Sequence, residues 1–518
     1  MSMIKNIVIV GGGTSGLVTA AMFQDFWKQK ANISVIYDPN NKTIGVGEGT
    51  TPSFTDVLKN TLNYSTEDCI RSLDATIKLG VKFKNWMPNE EYYHGFGQVV
   101  NDGDGKQNDE LSSNVACLYS LLNDKYSGGI NFNEATTDIP SDLKDYHFAY
   151  HITTDKLVEF LFRYLKDRVT LIPDKVIKVN SDGENIQSII CENTGTYEAD
   201  LFVDATGFDP ILMKELNNEW VDLSNHLPID SAIPQPVANN TGSLPTYTLS
   251  EATKHGWIWQ IPTRERFGTG YLFSSKFTSD DEAKEDYNKW LIKNHGVQLE
   301  SDRIIKWRTG HWDKAWVGNC LAVGLSGGFI EPLEALTHQY LTFMVDTFMS
   351  LNSTLKHLQY NRDRLNMVQN RIFFDYTQFL NLHYCTNRDD SPFWRHMTDN
   401  KTKWVQTMEE KCKHEFLDLF RTDDMLDYWG HDNYIQVMNG IHMFNKDAIK
   451  DFINSRFKNE DLMSESRKQY EFIELMKRKM SFVDHKSFLD ELQLVEDEEY
   501  MMGKELETLK EPSTLPYI

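Results

Sequence analysis

The chain has 518 residues, 40% hydrophobic and 12% aromatic, enough to build one large core rather than a string of small modules. Its formal net charge of −23 repels phosphate backbones and argues against a nucleic-acid partner. The cysteines, Cys69, Cys117, Cys191, Cys320, Cys385 and Cys412, are scattered without a C-x-x-C pair, which fits a reducing cytoplasm and gives no reason to expect a disulfide frame or a metal site. The first apolar run, Ile4 to Val10, breaks at glycines and lacks a basic leader and a cleavage signal. No apolar stretch approaches membrane-spanning length, so no membrane association is expected.

In chain order, Ile7-Val8-Ile9-Val10 predicts a strand that runs into Gly11-Gly12-Gly13-Thr14-Ser15-Gly16, and Leu17 to Phe23 continues as a helix. Gly11 permits the tight turn, Gly13 lets backbone approach a pyrophosphate, and Gly16 lets helix and sheet pack closely. The helix N-terminus, from Thr14 and Ser15 on, offers N–H groups to the phosphates. A second strand, Ile33 to Tyr37, completes a β-α-β unit; Asp38, directly after it, is the candidate acid for the ribose hydroxyls. Residues 95–145, rich in Gly, Asn, Asp and Ser, read as irregular surface. Residues 168–191 alternate around the turn Ser181-Asp182-Gly183-Glu184, and Leu201 to Asp204 is a buried strand ending at Ala205-Thr206-Gly207. From 333 on, glycines thin out and apolar residues take helical spacing. The expected fold is α/β (α+β): a Rossmann-like dinucleotide-binding module with an additional sheet over 1–332, and a mainly helical subdomain over 333–518 packed on it as one unit. The acidic end, from about 485, reads as an exposed helix and a loose tail.

The least common feature is Gly256-Trp257-Ile258-Trp259-Gln260-Ile261-Pro262. Aromatics at period two also fill one face of an ordinary strand; the flanking glycine and Ile-Pro set this segment apart. Four more segments accompany it in order: Ile44-Gly45-Val46-Gly47-Glu48-Gly49-Thr50-Thr51-Pro52; Thr76-Ile77-Lys78-Leu79-Gly80-Val81-Lys82-Phe83; Phe329-Ile330-Glu331-Pro332-Leu333-Glu334; and His383-Tyr384 through Pro392-Phe393-Trp394. Together with the N-terminal fingerprint, this set resembles the flavin-dependent halogenases of the tryptophan halogenase type.

The resemblance implies an enzyme that uses reduced FAD, oxygen and halide to make hypohalous acid, which then halogenates an electron-rich aromatic. The resemblance makes the Rossmann-like module an FAD-binding one of the glutathione-reductase type, and FAD would contact the fingerprint, Gly47, Glu48 and the small-residue segment around Gly324. No second glycine fingerprint exists for a nicotinamide nucleotide, so reduced flavin would come from a separate reductase. Trp257 and Trp259 would keep the organic substrate from the flavin. Lys78 matches the family's essential lysine, which hydrogen-bonds hypohalous acid or captures it as a haloamine. An ordinary lysine is less than about 0.1% neutral at pH 7, so the haloamine route needs burial to lower its pKa. Lys82 is the rival, on the same face if the segment is helical, and a solvated surface charge is the common fate of either lysine. Glu334 matches the acid opposite the lysine, with Glu331 the alternative or a cap of the following helix. His94 and Phe96 resemble an aromatic pair that sandwiches substrate in some relatives, or are ordinary loop packing. His383 reads as structural, with no evident partner.

Where the family has Ser-Thr-Gly after the acid, this chain has Ala335-Leu336-Thr337. Backbone donors at Leu336 and Thr337 would still hold halide, but added apolar surface there shifts the expected preference from chloride toward bromide or iodide. A small aromatic, free or carrier-tethered, is the expected substrate, with the stretch Asn433 to Gly440 in the region that selects it; a homo-oligomer is also expected. The competing readings are an FAD-dependent aromatic monooxygenase, which must let substrate touch flavin, and a flavin-binding protein without turnover.

Overall fold

A computed structural model of the chain describes residues 3–41, 48–96, 138–140, 147–356, 359–414, 431–456 and 482–493, with isolated positions between them. The first apolar run forms the strand Asn6–Val10. Ile7 and Ile9 point into the main core, and Val8 and Val10 into a second one on the other face. A strand covered on both faces suits a parallel sheet. It pairs in parallel with Asn32–Tyr37 on one side and Leu201–Asp204 on the other. Thr170–Pro173 and Cys320–Ala322 extend the sheet in parallel, and Trp316–Val317 closes one edge as an antiparallel hairpin. The helix Thr14–Trp27 starts directly after the fingerprint and buries Leu17, Val18 and Phe23. The expected Rossmann-like module is therefore present. The alternating stretch also forms a hairpin, Val176–Ser181 with Ile186–Cys191.

The additional sheet is eight-stranded and mainly antiparallel. The tryptophan strand Gly256–Pro262 lies between Arg266–Phe273 and Tyr247–Ala252. Trp259 stands opposite Gly270, where an added Cβ would lie 2.1 Å from the indole ring; only glycine leaves that ring room. Tyr247–Ala252 pairs in parallel with Gly80–Lys84, which pairs in turn with Glu91–Gly95.

Lys78 and Lys82 do not share a helical face. Residues 76 to 83 alternate at period two, and they form two strands. Thr76–Lys78 belongs to a small sheet with Ala149–Ile152 and Glu48–Gly49, whereas Lys82 lies in the eight-stranded sheet.

Beyond 333, the described residues include the helices Leu336–Leu351, Gln359–His383, Pro392–Asp399, Lys403–His414, His431–Gly440 and Lys446–Arg456. The acidic end is not simply exposed: the helix His485–Gln493 fully buries His485 and Leu489. The preceding strand, Phe482–Asp484, pairs with Asp138–Pro140, within the region expected to be irregular. The rest of 97–137 lies outside the described residues apart from one position, as do 494–518. One hydrophobic core contains Ile4, Trp257, Phe348 and Leu489 together. The described cysteines are free and buried; Cys117 lies outside the described residues. Among the described residues, no helix is long and apolar enough to cross a membrane.

Candidate active site

The glycines of the fingerprint do different work. Gly11 has φ +129°, and a Cβ there would lie 2.2 Å from the Ala205 carbonyl oxygen. At Gly16 a Cβ would lie 2.0 Å from the Gly11 carbonyl oxygen. At Gly13 it would meet no atom within 4 Å. Gly13 is also the N-cap of the helix that begins at Thr14 and Ser15, and no side chain caps that end. An open hollow against an uncapped helix N-terminus is the cradle a pyrophosphate needs. Gly324, with φ +58°, packs so tightly on Ser15 that a Cβ would lie 2.1 Å from its Oγ. Gly207 N–H donates to Ser326 Oγ at 2.9 Å, so the central and late segments meet beside the fingerprint.

Asp38 follows the second strand as expected, and its Oδ1 accepts from Asn40 N–H at 2.9 Å within its own turn. Gly47 lies outside the described residues. Glu48 accepts from Thr154 Oγ at 3.0 Å and pairs with His338, a partner sequence reasoning missed. Burial pushes the Glu48 carboxyl up, but His338 and the hydrogen bonds outweigh it and hold it below its ordinary value.

A cavity of about 220 Å³ is lined by Leu325 and Phe329 from the late segment, by Trp257 and Trp259, and by Lys78 and Glu334. The tryptophans are core residues and also line the cavity. Lys78 is 1% exposed, donates from Nζ to the Thr50 carbonyl at 3.0 Å, and sits 5.3 Å from the Phe96 ring centroid. Burial pushes its ammonium down to about 8, against a smaller upward pull from Glu334. Lys82 instead pairs with Glu91 at 2.7 Å.

The lysine strand is pinned from far along the chain. Thr76 Oγ donates to the Pro262 carbonyl at 2.7 Å, at the end of the tryptophan strand. Ile77 N–H donates to His485 Nε2 at 3.0 Å, and His485 Nδ1 donates to the Leu244 carbonyl at 3.0 Å. Burial first lowers the His485 pKa, to about 4, and the ring is thus the neutral acceptor its geometry needs. No local signal in the sequence marks His485.

Glu334 and Ala335 are consecutive non-glycine residues in left-handed conformation, with φ of 66° and 59°. Strain of this kind persists where the surroundings over-determine the backbone. Both His94 and His383 donate to one oxygen of Glu334: His94 from Nδ1 at 2.8 Å and His383 from Nε2 at 3.1 Å. Burial alone would raise the Glu334 carboxyl; the two imidazoles reverse that and hold it well below the carboxylate range. His383 therefore has a partner that a separation of 49 residues hid from sequence reading. His94 does not present itself as a sandwiching ring: it is 2% exposed, and Nε2 is bonded to Asn433 Oδ1 at 2.8 Å. The helix His431–Gly440 thus comes beside it, and Gln436 also bonds the Gly95 backbone. His94, Glu334 and His383 place three ligand-type atoms within 4.8 Å of one another. The carboxylate oxygen itself occupies the point on which both rings converge, which is a hydrogen-bonded cluster rather than an open metal cage.

Glu331 does not cap the following helix. Its Oε2 accepts from Tyr384 Oη at 2.7 Å and Trp257 Nε1 at 3.3 Å, and burial raises its carboxyl to about 7. The helix Leu336–Leu351 starts without a side-chain cap. Ala335 and Thr337 line the cavity, whereas the Leu336 side chain packs into the main core. The extra apolar surface expected beside the Leu336 and Thr337 backbone therefore comes from Ala335, not Leu336.

Comparison with known proteins agrees with this architecture. The family model described as tryptophan halogenase matches residues 6–453. A tryptophan 7-halogenase from Kutzneria sp. is 30% identical over 430 residues, covering 76% of this chain and 78% of the relative. The solved structure of a tryptophan halogenase from Shewanella frigidimarina superposes with a TM-score of 0.82 at 24% identity, covering 95% of this chain and 98% of that one. A flavin-dependent halogenase from Brevundimonas sp. gives a TM-score of 0.73 at 25% identity, covering 95% and 99%. The chain belongs to the tryptophan halogenase family and is a flavin-dependent halogenase.

Proposed function

We propose that the protein halogenates an electron-rich aromatic, of indole or phenol type, at Lys78 and Glu334. One observation carries this reading: a single cavity is walled by Trp257 and Trp259 and reaches both Lys78 and Glu334. The hollow at Gly13 suits FAD, which would be held by Gly11, Gly13, Thr14, Ser15, Gly16 and Gly324 and further contacted by Asp38 and Glu48; the family resemblance adds Gly47. Bound in reduced form, it supplies hypohalous acid from oxygen and halide. The lack of a second nucleotide fingerprint supports delivery of reduced flavin by a separate reductase.

The two indoles block an aromatic substrate and leave room for a small acid. Lys78, which lines the same cavity, would meet that acid in either of two protonation states. With its pKa near 8, roughly a tenth is neutral at pH 7, against less than about 0.1% for an ordinary lysine. The neutral amine exchanges an N–H for an N–halogen bond and releases water; the ring then takes the halogen and the amine regains a proton. The charged ammonium instead hydrogen-bonds the acid's oxygen and protonates it as the ring takes the halogen, so that water leaves. In that second course Glu334 accepts the proton lost from the ring carbon. The pH profile separates them. Product formation should rise as pH passes through about 8 in the haloamine course and fall there in the ammonium course.

Relatives named for tryptophan favour an indole. Halide preference should lean to bromide or iodide, since the Ala335 methyl replaces a hydroxyl beside the helix N-terminus and chloride loses more hydration. The test is mass analysis of products from an indole and phenol panel, with reduced flavin supplied and chloride, bromide or iodide added singly or at equal concentration. Halogenated product that depends on halide supports the reading. Hydroxylated product without halide would identify a monooxygenase, and predominant chlorination would overturn the halide preference.

A further inference from the structure

Glu334 is gripped at one oxygen only. His94 Nδ1 and His383 Nε2 both meet Oε1, at 2.8 and 3.1 Å. Among the described residues no side chain donates to Oε2, although Glu334 lines the cavity with Lys78. The carboxylate sits on two successive left-handed residues, Glu334 and Ala335, so its backbone does not settle there unaided. The imidazoles come from distant segments: His94 from the strand Glu91–Gly95 and His383 from the end of the helix Gln359–His383.

Each ring is in turn fixed from behind. His383 Nδ1 meets the Phe379 carbonyl at 2.8 Å, and His94 Nε2 meets Asn433 Oδ1 at 2.8 Å. Both nitrogens of His383 thus face oxygens, the Phe379 carbonyl and Glu334 Oε1, which fixes the ring's orientation. Phe379 packs edge-on against His383, with ring centroids 4.9 Å apart, and also against His94 at 5.8 Å. A carboxylate held by fixed donors keeps one geometry and its charge.

We propose that His94 and His383 are positioning residues for halogenation, gripping Oε1 so that Oε2 is the oxygen presented to the reacting species beside Lys78. The inference rests on the reading of Glu334 as the acid of the halogenation site. It also assigns His94 a role behind the acid instead of against the substrate. The charged and titratable groups facing Glu334 are Lys78 from the strand Thr76–Lys78, Tyr92 and His94 from the strand Glu91–Gly95, and His383 from the long helix. Loss of either imidazole leaves Oε1 with a single side-chain donor. The carboxylate then accepts a proton more readily.

The bonded nitrogen differs between the two rings, and this gives a matched test. The Asn amide reaches the position of a histidine Nδ1, and the Gln amide that of Nε2. His94→Asn and His383→Gln should therefore keep halogenated product per oxygen consumed within about threefold of the parent. His94→Ala and His383→Ala should lower that ratio by about tenfold to a hundredfold, the scale of a misplaced reacting group. In the alanine variants the acid limb of the pH profile should also move to higher pH, because Glu334 has lost donors that favour its charged form. FAD titration and thermal melts accompany each variant. An equal loss at every pH, in product and oxygen uptake alike, would show a merely structural role and overturn the proposal. So would failure of the matched amides to outperform alanine when both bind FAD. Glu334→Gln separates the two levels: if it halogenates at the parental rate, the assignment of Glu334 fails. If it is inactive while both alanine variants keep the parental ratio and acid limb, only the positioning role fails.

Discussion

At the fingerprint end of the molecule, Gly11, Gly13 and Gly16 come from one short segment, and a neighbouring strand and helix complete the hollow. At the lysine end, Lys78, His94, Glu334 and His383 come from four segments, and the strand carrying Lys78 is pinned by a fifth, His485. The first region is local and tolerates little change of backbone. The second is assembled by tertiary contacts, and its chemistry rests on burial and on partners contributed from elsewhere. Damage at the first should therefore stop the flavin step and everything after it, whereas damage at the second should spare oxygen uptake and cost product.

The largest expected effect is at Gly11. Gly11→Ala forces a Cβ into the Ala205 carbonyl at a φ that L residues rarely adopt. FAD binding, oxygen uptake and product should all be lost, as measured by flavin titration and an oxygen electrode. Gly13→Asp sharpens the point within the same segment. Its Cβ meets nothing, so the unliganded fold should keep its melting temperature, while the added carboxylate repels the pyrophosphate and weakens FAD binding by at least about tenfold. A strong loss of stability with FAD affinity unchanged would break the contrast.

At the other end, His485→Ala removes the acceptor of the Ile77 N–H. A buried donor left without a partner costs about 1–3 kcal/mol, visible in a denaturant titration. Product per oxygen should fall more than oxygen uptake, since the adjacent residue is Lys78. Lys82→Ala is the smallest change. It breaks a pair with Glu91 whose carboxylate side is 55% exposed, an interaction worth about 0–1 kcal/mol, and product should stay within about twofold. A large loss there would return Lys82 to the site.

The same contrast explains what was legible in the sequence. The fingerprint could be read because the strand, glycines and helix that make it are contiguous, and backbone geometry alone dictates them. The tryptophan pair was legible as a strand face, but Gly270 beneath Trp259 was not, because register across a sheet is a tertiary property. Lys78 and Glu334 were reached through the family resemblance; periodicity would have placed Lys78 on a strand, since residues 76 to 83 alternate. His383 and His94 carried no sign of their shared partner, which lies 49 and 240 residues away. His485 gave still less, as a lone histidine beside an acidic tail, and it lies beyond the residues matched by the family model.

The central claim is that Lys78 acts after the flavin step, and one comparison tests it most directly. With reduced flavin and halide supplied, oxygen uptake and halogenated product are measured together for the parent and Lys78→Ala. The side chain comes from the strand Thr76–Lys78, outside the fingerprint, and bonds the Thr50 carbonyl, so its removal should leave FAD affinity and oxygen uptake nearly intact. Halogenated product should disappear. Halogenation by Lys78→Ala at a rate near the parental one, with oxygen uptake unchanged, would contradict the account.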